Sequence, residues 1–187
     1  MASTASRTIG RKHEKDPPMD ATALRALQAP LKDRYKRDPG SAFITLRAKG
    51  TLDDARVACK VETGQALGVA GLHPATGGSG LELCSGDMLL EALVACAGVT
   101  LKAVATALDI AIASGAVSAE GDLDFRGTLG VAKDAPVGFA AIRLRFDVAT
   151  DAPPDKLDQL LKLTERYCVV YQTLKRGPPI ELELNRA

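Results

Sequence analysis

The chain has 187 residues, of which 46% are hydrophobic and 25% charged, and its formal net charge is +1. That length suits one domain with a tail, and the composition can bury a core. A nearly neutral chain has no long-range field for nucleic acid or an anionic membrane, and 4% aromatics without Trp offer no base-stacking platform, so neither partner is expected.

The opening, MASTASRTIGRKHEKDPPMD, has no apolar h-region and is not read as a signal peptide. No run of about 18 uncharged apolar residues marks a membrane span, so the expected location is the cytoplasm. The four cysteines there, Cys59, Cys84, Cys96 and Cys168, are expected to be reduced. They form no CxxC, and the only histidines are His13 and His73, so no metal site or other cofactor is expected.

In chain order, residues 1–40 read as a polar N-terminal arm with a weak helix, and 41–187 as the folded domain. The weak helix is ATALRALQAPLKDRYK, residues 21–36, interrupted by Pro30. From about residue 42 the pattern is β-like. Val57, Cys59 and Val61 alternate with polar or small residues, which predicts a half-buried strand with Cys59 packed on its apolar face. GLHPATGGSG reads as a surface loop, since no Gly-Lys-Ser/Thr follows it, and His73 within it as an incidental polar residue.

A helix is predicted from Ser85 as N-cap, with Asp87 in its first turn, running about six turns through DMLLEALVACAGVTLKAVATALDI. It is apolar on nearly every side, which predicts a helix buried all round. Strands follow around DLDFRG and AIRLRFDVA. A second helix opens at DAPPDK and carries Leu157, Leu160, Leu161, Thr164, Cys168 and Tyr171 on one face before Gly177 and two prolines stop it. IELELN closes as an alternating strand. The order βββ-α-ββ-α-β is that of an α+β domain.

Two cysteines project inward from helices. Around Cys96 the same helix face holds Leu89, Ala92, Leu93, Val99, Thr100 and Ala103, none of them charged. An unassisted thiol titrates at about 8.5, and an apolar setting raises it. Cys96 is therefore either a small core side chain or a nucleophile whose activating cation, an Arg or Lys, comes from another element. If the two helices pack with Cys96 and Cys168 facing, the sulfurs could pair.

ATGGSGLELCSGDMLLEALVACAGVTLKAV resembles the segment of the OsmC/organic hydroperoxide resistance family that carries its first cysteine. ERYCVVYQTL resembles that family's second signature, close to Cys-Pro-Val-Ser-x-x-Leu. The resemblance spans about residues 42–184 and implies an OsmC-like fold with a long buried central helix, assembled as an intertwined homodimer with sites at the subunit interface. It also implies a thiol-dependent peroxidase for organic hydroperoxides, with Cys96 peroxidatic and Cys168 resolving. Cys96 would become a sulfenic acid, Cys168 would condense with it to a disulfide, and an external dithiol would reset the pair.

Departures from the family pattern define the alternative. The family Glu ten residues before the first cysteine is Gly86 here, and Asp87 is read as a helix-start residue. Val169 follows Cys168 where the family has Pro. The activating Arg of the family comes from the early strands, which makes Arg56 the first candidate and Arg47 the second. Arg56 reads equally well as a solvated strand-end charge. Cys84, about 17 Å of helix rise from Cys96, is a remote substitute for Cys168. The alternative function is a non-catalytic dimer that binds an apolar small molecule, with both inward cysteines inert.

Overall fold

The computed structural model of the protein describes residues 20–42, 49–52, 58–62 and 67–186. The expected polar arm before residue 20 lies outside them. Helix α1, Ala21–Arg37, starts where the Asp20 side chain accepts the Ala23 N–H at 2.7 Å, and ends on Arg34, Lys36 and Arg37, which complement the helix dipole. Pro30 lies inside this helix and does not end it. The expected interruption is thus confined to the backbone bond that Pro30 cannot donate.

Strands β1 (Lys49–Leu52), β2 (Ala58–Glu62), β3 (Leu67–Gly71) and β4 (Leu83–Cys84) form one sheet in the order β1-β2-β3-β4. The first two pairings are antiparallel and β3–β4 is parallel. Backbone pairing sets Cys59 opposite Ala70. Between β3 and β4 the glycine-rich loop packs tightly, since a Cβ on Gly78 would lie 1.7 Å from the Leu72 carbonyl oxygen. His73 is more than incidental there. Its Nδ1 accepts the Ala75 N–H at 3.0 Å, and its ring stacks on Phe125 with centroids 4.9 Å apart.

Helix α2, Ser85–Ala107, is the long central helix. Ser85 is its first residue rather than its N-cap; Cys84 holds that place without a side-chain capping bond. By length and composition α2 could span a bilayer, but its packing against α1, β4 and the elements that follow supplies another reason for its apolar sequence. Its buried residues are Leu93, Ala97, Leu101 and Ala105, one stripe at i+4 spacing. The expectation of a helix buried all round is not met: Val99 is 73% exposed, because the chain's other elements cover only part of α2.

Strand β5 (Ser114–Leu123) pairs antiparallel with β6 (Phe139–Ala149), Val117 opposite Phe146 and Ala119 opposite Leu144. The first of these strands begins well before the expected DLDFRG segment and ends short of Phe125. There Asp124 accepts the Arg126 N–H at 3.0 Å and opens a four-residue helix, α3, Phe125–Thr128. One face of the β5–β6 pair lies on α2, and its other face carries charges such as Arg143 paired with Glu120.

The C-terminal helix is two helices, α4 (Pro154–Tyr167) and α5 (Val169–Arg176), with Cys168 between them. Leu160 joins Leu101, Ala105 and Ile110 in the core, with Phe146, Val148 and Leu157 packed around them. The expected final strand is absent from this chain. Residues 178–186 have no regular structure, and Leu182 is 98% exposed, because no strand among the described residues lies beside them to complete a ladder. The order differs from βββ-α-ββ-α-β accordingly, but the architecture is mixed α+β around one long helix.

Candidate active site

The site is built at the break between α4 and α5. The Cys168 N–H donates to the Thr164 carbonyl at 3.0 Å and closes α4, while its own carbonyl accepts the Gln172 N–H at 2.9 Å and opens α5. The residue itself is extended, φ −73° and ψ 107°. A side-chain clamp fixes this kink. Gln172 Nε2 donates to the Glu165 carbonyl at 2.8 Å, and Lys175 Nζ pairs with Glu165 Oε1 at 2.6 Å.

A continuous helix would spend the N–H groups of Val169 and Val170 on carbonyls one turn earlier. The break frees them, as at any helix N-terminus. Both lie near enough to Cys96 on α2 to favour its thiolate. The Cys168 thiol lies beside the Cys96 sulfur and favours its thiolate too. Thr100, one turn further along α2, bonds the Cys96 carbonyl at 2.7 Å. Cys96 is half-buried, Cys168 is 1% exposed, and both are free thiols.

These contacts split the two titrations. Burial pushes the Cys96 thiol up, but the Val170 N–H, the Cys168 thiol, the Val169 N–H and a share from Thr100 outweigh it and hold the thiol below its ordinary value. Burial pushes the Cys168 thiol up and prevails; the Tyr171 N–H opposes it, and the negative Cys96 sulfur adds to it. The arrangement sets a thiol whose thiolate is favoured at a helix N-terminus beside a thiol that holds its proton more firmly. Such a pair can attack an electrophile with one sulfur and close a disulfide with the other.

The structure thus brings Cys96 and Cys168 together. Sequence reasoning expected a cation at Cys96 and overlooked the end of α5. A signal for the break was present in Tyr-Cys-Val-Val-Tyr, a run of aromatic, thiol and β-branched residues with weak helix propensity. Val169 holds the first helical position, where the family has Pro; a proline there has no N–H to give. Arg47 and Arg56 lie outside the described residues.

Cys84 belongs to a different place, an apolar cavity of about 390 Å³ between the start of α2 and Leu123, Phe125 and Phe139. A Cβ on Gly86 would touch Phe139, Cys84 and Leu123, so the position of the family Glu is packed among nonpolar neighbours. Asp87 is an exposed first-turn residue of α2, as expected.

The family model described as OsmC-like protein matches residues 78–183, a stretch that includes both cysteines. The chain belongs to the OsmC-like family. Solved structures agree on the OsmC-like fold. An OsmC-like protein from Mycoplasma pneumoniae superposes with a TM-score of 0.60 at 16% identity, over 72% of this chain and 89% of that one. An organic hydroperoxide resistance protein OsmC from Legionella pneumophila gives 0.55 at 17% identity, over 73% and 92%. An organic hydroperoxide resistance protein from Elizabethkingia anophelis gives 0.56 at 16%, over 73% and 91%. Identities this low speak for the fold. No curated protein sequence matches the chain.

Proposed function

We propose that this OsmC-like protein is a cytoplasmic cysteine-based peroxidase that reduces organic hydroperoxides at the expense of an external dithiol. The observation that carries the reading is the placement of Cys96 beside the α5 N-terminus and Cys168, which together favour its thiolate. Family membership and the names of the Legionella and Elizabethkingia proteins support the same chemistry.

The Cys96 thiolate attacks one peroxide oxygen. The O–O bond breaks, the alkoxide leaves and takes a proton, and Cys96 becomes a sulfenic acid. Cys168 gives up its proton and attacks the Cys96 sulfur; the S–S bond forms and the hydroxyl leaves as water. A dithiol then returns two electrons. The α5 N–H groups stabilise negative sulfur before the first step and whenever it is regenerated. Arg56, with Arg47 as second choice, is the proposed source of further positive charge.

The reading includes a homodimer. The exposed side of α2 around Val99 and the alternating apolar tail Ile180, Leu182 and Leu184 are surfaces that a second copy would cover. A second function, binding of an apolar small molecule without catalysis, is favoured by the cavity beside Cys84.

The test is consumption of an organic hydroperoxide with dithiothreitol as reductant. Wild type turns over, Cys96→Ser does not, and Cys168→Ser completes the first oxidation but accumulates sulfenic and then sulfinic acid. A wild type that consumes no peroxide selects the binding function.

A further inference from the structure

Glu165, in the last turn of α4, is the meeting point of three α5 side chains. Gln172 Nε2 donates to its carbonyl at 2.8 Å, Lys175 Nζ pairs with its Oε1 at 2.6 Å, and the Tyr171 hydroxyl donates to the same Oε1 at 3.4 Å. The Lys175 ammonium also lies 5.5 Å from the centre of the Tyr171 ring. The Gln172 and Lys175 contacts exist only because the helix is broken. Along a straight helix seven residues span about 10.5 Å and ten span about 15 Å, beyond what these side chains reach back. The carbonyl is the informative member of the set. In a continuous helix the Val169 N–H, four residues on, would bond the Glu165 carbonyl. Here the half-buried Gln172 amide holds that place, and the Val169 N–H lies near Cys96 instead. Cys168 already has a helical φ of −73°, and only its ψ of 107° departs from the helical value of about −42°. One dihedral separates the broken arrangement from the straight one.

We infer that Gln172 is a positioning residue for Cys96: its side-chain amide takes the Glu165 carbonyl that Val169 would otherwise bond, and so keeps the N-terminus of α5 open beside α2. The Glu165–Lys175 ion pair tethers the next turn of α5 in the same arrangement. Without the amide, the Glu165 carbonyl is an acceptor in need of a donor, and an unfilled acceptor that is not well hydrated is costly. The nearest backbone donor is the Val169 N–H. Taking it winds the break toward continuous helix and withdraws from Cys96 the first N–H of α5. Gln172 therefore acts through the backbone and not by contact with either sulfur. The bearing of this device on turnover rests on the peroxidase reading; its effect on the Cys96 thiol does not.

The experiment uses the full reduced chain and iodoacetamide, so that the result does not depend on peroxide reactivity. Peptide mass spectrometry follows Cys96 alkylation against pH in the wild type, Gln172→Met, Val169→Pro and the double variant. Methionine keeps the length of the side chain and removes the donor. Gln172→Met should lower the Cys96 thiolate fraction at neutral pH about fivefold and move the profile to higher pH. Proline at position 169 has no N–H to surrender and does not fit inside a continuous helix, so it holds the break open. In that background Gln172→Met should change the profile by less than about twofold. Lys175→Gln leaves the amide in place and should give a smaller shift in the same direction, while Lys175→Arg should match the wild type. This second pair carries the test should Gln172→Met not fold. An unshifted profile in Gln172→Met, or in Lys175→Gln where only that pair folds, would overturn the inference. So would an equal shift with and without the proline, which would show a general loosening of α5. Failure of the peroxidase reading would appear elsewhere, as a wild type that keeps this coupling and consumes no hydroperoxide.

Discussion

Cys168, the residue that opens α5, lies beside Cys96, whose thiolate the first N–H groups of the same helix favour. One kink therefore does two things. It sets one thiol beside another, and it turns a helix end toward Cys96. The opposite directions in which the two thiols are pushed follow from burial and backbone geometry before any side-chain cation is counted.

Val169→Pro tests the backbone contribution. Proline suits the first helical position, so α5 should persist, but one donor to Cys96 is lost. A hydrogen bond to a charged group contributes about 1.5–3 kcal/mol, so the thiolate fraction of Cys96 at neutral pH should drop about tenfold. Alkylation by iodoacetamide as a function of pH reads this. In the wild type Cys96 should titrate below an ordinary thiol and Cys168 above one. Val169→Ala, which keeps the N–H, should match the wild type.

Arg56→Ala asks whether a cation adds to the helix end. Loss of a close positive charge should slow Cys96 alkylation severalfold at neutral pH while circular dichroism stays the same. An unchanged pH profile would pass the role to Arg47, to be tested by the same substitution.

The clamp across the kink should contribute to stability. Gln172→Ala leaves the Glu165 carbonyl without its side-chain donor, which is expected to cost about 1 kcal/mol in urea unfolding. Closure from sulfenic acid to disulfide should also slow, since the α5 end is held less firmly. Stopped-flow fluorescence or quench-flow alkylation would follow it.

Sedimentation tests the dimer. Wild type at micromolar concentration should sediment as a homodimer. Leu182→Lys together with Leu184→Lys places charge on the exposed apolar tail and should weaken the dimer by about tenfold or more. A stable folded wild-type monomer would contradict the dimer.

Much of this was legible in the residues, and the failures have physical causes. The alternation of Ile142, Leu144, Phe146 and Val148 marked β6, and the spacing of Leu157, Leu160 and Thr164 marked α4, because one face of each element lies against the same core. The inward direction of Cys168 came from that spacing too. The kink did not, since a residue that ends one helix and begins the next keeps the hydrophobic period almost unbroken. IELELN has the pattern of a strand, but a strand needs a neighbour, and hydrophobic period carries no information on whether the neighbour belongs to the same chain. The all-round apolarity of α2 overstated its burial within this chain for the same reason.

The most direct measurement is the thiol state of each cysteine after one equivalent of an organic hydroperoxide, read by non-reducing peptide mass spectrometry. The account predicts an intramolecular Cys96–Cys168 disulfide, with Cys59 and Cys84 still reduced and one equivalent of alcohol released. A protein whose Cys96 remains a free thiol, or whose oxidation appears on Cys84 while Cys168 stays reduced, would contradict it.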